Sequence, residues 1–486
     1  MKKAVVIGGG VIGSAVAWRL AREGVAVTLL ERARIGQEAS WAAAGMIAAQ
    51  ADTPAAGPFF DLCIRARDIF ASTIETLGAE SPVDPEYDRT GILDVAFNNA
   101  ERVELEERGR WQLAAGGTVE ELSGAAARKL EPAIAPEAIY ALHFPLDRRT
   151  DNRKLTQAYA TAAIVKGATI VEGASVASIV VANGRASGVR IHDGTVHPAD
   201  IVVNAGGAWA GQISGLEADR IGIIPVRGQI LCFESRPGSL TSSIISARGY
   251  LVPRRDGRIL AGSTMDRAGY DKSVTLAGID AIARGAIGMV PGLASMRLRE
   301  AWAGLRPASE DFLPVIGASP SIPNVLYATG HFRSGILLSA ITGEIVADLV
   351  MGRTPQIDLG PFAPARFSTT AKVKALGLVR DIMFRSRIDA VADSLGVETA
   401  YAPDLAHACE RAVEFRPAIV FVDLSDSTFP AEASAREIRA AASGARLVGF
   451  ASHVDLKSLA AARGAGFDLT LSRSEFTARL PDLFKA

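Results

Sequence analysis

Ala4-Val5-Val6-Ile7-Gly8-Gly9-Gly10-Val11-Ile12-Gly13 runs into a helical stretch over residues 14–23 and then into Ala26-Val27-Thr28-Leu29-Leu30-Glu31. Val5-Val6-Ile7 has the apolar run of a buried strand, and Ile12, Val16 and Leu20 share one face of a helix. The order is therefore strand, glycine turn, helix, and a second strand closing on an acid eighteen residues past Gly13. Each position has a physical task. Gly8 permits a tight turn, Gly10 lets the backbone approach a pyrophosphate, and Gly13 lets helix and strand touch. The helix N-terminus stabilises negative charge, and Glu31 can accept hydrogen bonds from a ribose diol while disfavouring a 2′-phosphate. A ligand-free glycine turn has the same three glycines; the flanking strand, helix and acid are what favour a dinucleotide.

NAD and FAD share this fingerprint, so the neighbouring residues have to separate them. Gln37-Glu38-Ala39-Ser40-Trp41-Ala42-Ala43-Ala44-Gly45-Met46 reads either as an Ala-rich helix start or as a small-residue loop that crowds backbone amides against a ring or diphosphate. Residues 168–171 and 174–177 read as strands, with hairpin turns at Asn183-Gly184 and Asp193-Gly194. Ile201-Val202-Val203-Asn204-Ala205-Gly206-Gly207-Ala208-Trp209 is a buried strand entering a second glycine loop. A hairpin-rich insertion inside a dinucleotide fold suits a flavoprotein better than an NAD enzyme.

Composition bounds the rest. The 486 residues suggest about three units at roughly 150 residues each. With 52 basic against 53 acidic side chains there is no global field for nucleic acid or anionic lipid. Cys63, Cys232 and Cys409 are odd in number and lack CxxC spacing, and the closest His pair, His192 and His197, lies in an alternating stretch. Neither a disulfide framework nor a metal site is expected, and a cytoplasmic setting fits. Met1-Lys2-Lys3 and the apolar run after it imitate a signal peptide, but the strand–turn–helix grammar argues against export. The apolar stretch over residues 335–350 is broken by Glu344, so no membrane span is expected.

The residues resemble the D-amino-acid oxidase superfamily, most closely the glycine oxidases of thiamine biosynthesis, over residues 1 to about 367. The resemblance rests on the Gly8–Gly13 turn with Glu31, on Ala42-Ala43-Ala44-Gly45-Met46, and on the loop from Asn204 to Trp209. It also rests on Tyr250-Leu251-Val252-Pro253-Arg254 with Gly262-Ser263-Thr264-Met265, on Trp302-Ala303-Gly304-Leu305-Arg306-Pro307, and on Gly330-His331-Phe332-Arg333-Ser334-Gly335-Ile336-Leu337-Leu338. The implied fold is α/β, with a Rossmann-like domain of the glutathione-reductase type over 1–90, 150–220 and 305–352. Interwoven with it would be an antiparallel-sheet substrate domain over 91–149 and 221–304.

The resemblance implies non-covalent FAD. Its contacts would come from Gly8, Gly10, Val11, Ile12, Gly13, Glu31, Arg32, Ser40, Ala43, Ala44, Gly45, Met46 and Val176. Ala205, Gly206, Trp209, Gly330, His331, Arg333, Ser334, Gly335 and Ile336 would complete them. Arg306 would clamp a substrate carboxylate with help from Tyr250, Arg333 would lie near flavin and substrate, and Met265 would line the pocket. Arg248, two residues before Tyr250, would either add a second cation to the pocket or reach solvent. A guanidinium matches a carboxylate bidentately and a phenol adds orientation, fixing an amino acid with its Cα–H toward the flavin. The implied reaction is oxidative deamination of glycine or small amino acids, with dioxygen reduced to peroxide. A dehydrogenase passing electrons to a quinone, and a flavin redox sensor, are the alternatives. The partners implied are a small amino acid, an electron acceptor and a second copy of the chain.

Residues 353–373 read as a linker, and Lys372, Lys374, Arg380, Arg385 and Arg387 as a solvated basic run. From residue 374 the pattern alternates afresh. Strands are expected at 376–379, 398–401, 418–423, 445–450 and 468–471, with helices at 387–395, 404–415, 432–442, 455–464 and 475–484. This describes a small flavodoxin-like doubly wound domain over 374–486. It resembles a response-regulator receiver, with Asp423 at the phosphoacceptor position and Ser452 after the fourth strand. The departures are a lone Asp381 after strand one and no Lys at the end of strand five, where Leu471, Ser472 and Arg473 stand instead. Such a module would not be phosphorylated and would serve association, regulation or a protein partner.

Overall fold

The computed structural model describes residues 1–368 and 373–484; Lys372, counted in the basic run, lies outside them. The chain forms two compact units, Met1–Ser368 and Thr369–Ala486.

In the first unit, β1 (Lys3–Ile7) pairs in parallel with β2 (Ala26–Glu31) and with Ile201–Asn204. The full sheet runs Val315–Ala318, Val325–Thr329, Ile201–Asn204, β1, β2, Thr169–Glu172, and only Val315–Ala318 is antiparallel to its neighbour. Between β1 and β2 lies α1 (Val11–Arg22), which begins three residues earlier than its apolar face alone predicts because Gly10 already serves as N-cap. Its face bearing Val16 and Leu20 is fully buried in the core shared with Leu155, Tyr159, Leu338 and Val346. Burying each such side chain contributes roughly 1.5–3 kcal/mol.

A second, eight-stranded sheet holds Ile92–Ala96, Glu120–Ser123, Tyr140–Phe144, Ile224–Glu234, Ser243–Ser246, Gly249–Pro253, Ile259–Gly262 and Arg297–Ala308. All its pairings are antiparallel except that of Ser243–Ser246 with Ile92–Ala96. Period-two alternation puts Trp302, Gly304 and Arg306 on one face, and their register partners Ile230, Gly228 and Val226 lie opposite. Residues 353–368, read from sequence as linker, pack onto this unit instead: Phe362 is fully buried and Arg366 pairs with Asp311 at 2.8 Å.

The second unit is one all-parallel sheet in the order Glu398–Tyr401, Lys374–Leu378, Ile419–Asp423, Arg446–Ala451, Leu469–Ser472. Its first helix spans Ile382–Leu395, five residues longer at its start than expected. Asp381 explains the difference: its Oδ1 accepts from the N–H groups of Met383 and Phe384, so the basic stretch is helical from Ile382. Arg473, which stands at the end of the fifth strand where a receiver has lysine, donates from Nη2 to Asp423 Oδ2 at 2.9 Å.

Candidate active site

A cavity of about 470 Å³ runs from the turn between β1 and α1 to the strand Arg297–Ala308. At its first end Gly8 takes φ +99°, and a Cβ there would lie 2.5 Å from the Ala205 carbonyl oxygen. A Cβ on Gly13 would fall 1.9 Å from the Gly8 oxygen, so helix and strand meet only because both are glycine. No side chain from Gly10 caps α1, and the Val11 N–H donates to Ser40 Oγ at 2.8 Å. Glu31 is buried, accepting from Gly9 N–H at 2.7 Å and Ala33 N–H at 2.9 Å. Each of its oxygens keeps a further lone pair for a diol. Arg32 stacks on Trp209 at 3.5 Å and pairs with Glu38, walling this end, while Val176, Ser175 and His192 line it farther out.

The small-residue stretch is a one-turn helix, Ala39–Ala42, followed by a tight loop. Gly45 has φ +78°, and a Cβ there would be 2.1 Å from the Thr150 oxygen. Three distant side chains hold this loop. Asn152 Nδ2 donates to the carbonyls of Ser40 and Trp41 at 2.7 and 3.1 Å. Arg254 donates to Thr150 O at 2.7 Å and Asn152 Oδ1 at 2.6 Å, and Trp302 Nε1 donates to Ala42 O at 3.1 Å. Asn152 carries no motif of its own, and sequence reading missed it.

At the far end Arg306 is clamped by the residues just past the strand Ile259–Gly262 and by the neighbouring strand Ile224–Glu234. Nη2 donates to Ser263 Oγ at 2.6 Å and Nη1 to Thr264 O at 3.1 Å, and a Cβ on Gly228 would strike the guanidinium at 2.2 Å. Burial lowers its pKa, and the neighbouring Tyr250 and Asp52 act against that shift; a guanidinium still keeps its charge at neutral pH. Tyr250 is 8 % exposed and faces the same cavity. Arg333 pairs with Asp52, Nη2 to Oδ1 at 2.6 Å. Asp52 also lines the cavity and was missed from sequence, where it stands as one acid after an apolar run. Burial pushes its carboxyl up while Arg333, Arg306 and Arg108 pull it down, and burial prevails. His331 is buried against Thr342 Oγ1 at 3.0 Å, and desolvation pushes it down to about 3, so it stays neutral near pH 7.

The other expected cavity residues, from Gly8, Gly10, Val11 and Ile12 through Ala43, Ala44, Met46, Ala205 and Gly206 to Ser334, Gly335 and Ile336, line it. Gly13 and Gly330 do not; the first carries the helix contact, and a Cβ on the second would press on Val315 Cγ2 at 2.9 Å. Two pocket expectations are corrected. Met265 is 60 % exposed: it lies beyond the strand Ile259–Gly262, where Thr264 Oγ1 accepts from Gln229 N–H and donates to Asp266 while the Met265 side chain reaches solvent. Arg248 sits in the turn before the strand Gly249–Pro253, so shared-face reasoning does not apply. It stacks on Phe97 at 4.0 Å and donates to Gly288 O at 2.7 Å. Among the described residues, no group of three His, Cys, Asp or Glu side chains could hold a metal, and no helix is long and apolar enough to cross a membrane.

The glycine backbone at Gly8, Gly10 and Gly45, the start of α1 and the Glu31 carboxylate line one cavity and fit a flavin dinucleotide. The chain matches the family described as FAD dependent oxidoreductase (DAO) over residues 3–349, and it belongs to that family. It is similar to the glycine oxidase of Bacillus licheniformis, at 34 % identity over 354 residues, which cover 72 % of this chain and 92 % of that one. The solved glycine oxidase of Geobacillus kaustophilus aligns with a TM-score of 0.72 at 30 % identity, covering 75 % of this chain and 99 % of the other. Iminodiacetate oxidase from Chelativorans sp. BNC1 aligns with a TM-score of 0.68 at 30 % identity, covering 74 % and 98 %. The protein is thus an FAD-dependent oxidoreductase of the glycine oxidase type. Residues beyond 349 lie outside the family match.

Proposed function

We propose that the protein oxidatively deaminates glycine or a similarly small amino acid, releasing a 2-oxo acid and ammonia and yielding peroxide when dioxygen is the acceptor. The observation that carries this reading is the half-buried Arg306 beside Tyr250, at the end of the cavity away from Glu31. Arg306 receives the carboxylate, Tyr250 orients it, and the small residues from Ala42 to Met46 leave room for a ring system beside the substrate. FAD supplies the two-electron acceptor. No protein base is required if the amine binds neutral, in keeping with a His331 held in its uncharged form. The first, mainly parallel sheet is read as the cofactor domain and the eight-stranded sheet as the substrate domain.

Anaerobic titration of the flavin spectrum with glycine, sarcosine, D-alanine, D-proline and acidic amino acids tests this. Bleaching by glycine or another small member is expected, and a flavin unmoved by all of them defeats the reading. In air, peroxide yield against reduction of an artificial acceptor separates oxidase from dehydrogenase.

For the second unit we propose a receiver-like module that takes no phosphoryl group and serves association or regulation. Asp423 is 3 % exposed and already bonded to Arg473, and Asp381 is occupied as a helix cap. Without free carboxylates for a metal, aspartyl phosphorylation lacks electrostatic support. Exposure to acetyl phosphate with Mg²⁺ should leave the intact mass unchanged; a gain of one phosphoryl group on Asp423 would refute it.

A further inference from the structure

The carboxylate end of the cavity holds two guanidinium groups and one acid. Arg306 is locked by Ser263, Thr264 and the absence of a side chain at Gly228. Arg333 is 39 % exposed and bound to Asp52. The segment carrying Asp52 is itself anchored in the protein interior. Asp147 accepts from Gln50 N–H at 3.0 Å and Ala51 N–H at 2.9 Å, Arg108 donates to Ala51 O at 3.2 Å, and Thr53 Oγ1 donates to Ala49 O at 2.8 Å. Asp52 therefore stands on a hydrogen-bonded support, and Arg333, the partner it holds, is the more exposed of the two.

Building on the carboxylate clamp above, we propose that Asp52 is the charge-selectivity residue of this site. By occupying Arg333 it leaves Arg306 as the one guanidinium open to an incoming carboxylate, so the pocket favours substrates with a single acidic group. The electrostatic reason is direct. Two arginines and one aspartate leave one net positive charge, which a monocarboxylate neutralises. A second carboxylate on the ligand would meet Asp52 and would have to displace it from Arg333, at the cost of an uncompensated charge in a desolvated site. Asp52 is a positioning residue in this scheme, acting through Arg333.

The test uses dead-end ligands, so that it reads binding and not turnover. Acetate and malonate are titrated against the FAD-loaded protein at fixed pH and ionic strength, following the perturbation of the flavin absorption band. Wild type is expected to bind acetate at least about tenfold more tightly than malonate. In Asp52→Asn the ratio should shift toward malonate by about tenfold or more, because Arg333 is released to take the second carboxylate. Asp52→Glu should keep the wild-type ranking, and adding Arg333→Gln to Asp52→Asn should abolish the gain. Flavin content reports folding in each variant. An unchanged ratio in Asp52→Asn, a gain that survives the loss of Arg333, or a wild type that neither acid perturbs overturns the proposal. A flavin that no amino acid bleaches, combined with the expected ratio shift, defeats the deamination reading alone. Bleaching by glycine with an unchanged ratio defeats Asp52 selectivity alone.

Discussion

The first strand of each unit ends at a helix N-terminus, but Gly8-Gly9-Gly10 follows one and Val379-Arg380-Asp381 follows the other. In the first unit the helix start has no capping side chain from Gly10, and the strand ends open onto a cavity. In the second, Asp381 spends its carboxylate on the helix start and Arg473 covers Asp423. Parallel sheets present ligands at their carboxyl edges. The contrast is in what the side chains leave open: Glu31 and Ser40 bond the first turn and still line a cavity, whereas Asp381 and Asp423 are taken up by a helix start and by Arg473.

The sharpest way to break this comparison is Gly13→Ala. Its Cβ would lie 1.9 Å from a backbone oxygen, so helix and strand must part. We expect the purified protein to lose FAD and its denaturation midpoint to fall by the equivalent of about 3 kcal/mol. Wild-type flavin content in this variant would refute the glycine argument. Next comes Arg306→Ala, which should retain FAD but weaken acetate binding roughly 100-fold, a loss of about 3 kcal/mol, read from the flavin difference spectrum.

Two buried carboxylates sharpen the contrast further. Asp147 is held mainly by backbone N–H groups, with Arg67 at 3.8 Å, and burial pushes it up to about 6. Its folded value exceeds the unfolded one, so the native state binds the proton more readily between about pH 4 and 6. Stability from this group is therefore present at low pH and lost as pH rises through 6, by at most about 3 kcal/mol. Asp147→Asn should remove that slope, so the wild type loses ground to the variant between pH 4 and 7 in urea titrations. Asp423 instead has a guanidinium partner. Arg473 is a third exposed, so Arg473→Ala should cost only about 1 kcal/mol, seen as faster hydrogen exchange along Ile419–Asp423.

Much of the site was legible in the sequence, where its chemistry is carried by local pattern. The three glycines declare their turn because no other residue satisfies it, whereas Arg306 and Tyr250 were marked only by the family resemblance of their motifs. Arg248 differs because strand alternation does not carry across the turn before Gly249; Met265, expected in the pocket only from the family resemblance, lies beyond the strand Ile259–Gly262 and is exposed. Asp52 was passed over because a single acid in a run of alanines has no periodicity to mark it. Asn152, and the pairing of Arg473 with Asp423, were not legible because the partners lie 111 or 112 and 50 positions away.

By itself the sequence determined that a dinucleotide fold opens the chain, that its cofactor loop is built of small residues, and that a second alternating α/β unit follows. These are consequences of short-range sterics and of periodicities a few residues long. Tertiary structure alone decided which charged and polar groups meet: Asp52 with Arg333, Arg254 with Asn152, Arg473 with Asp423. Coulomb and hydrogen-bond energies depend on distance through space, and two residues far apart in the chain acquire such a distance only when the sheets bring them together.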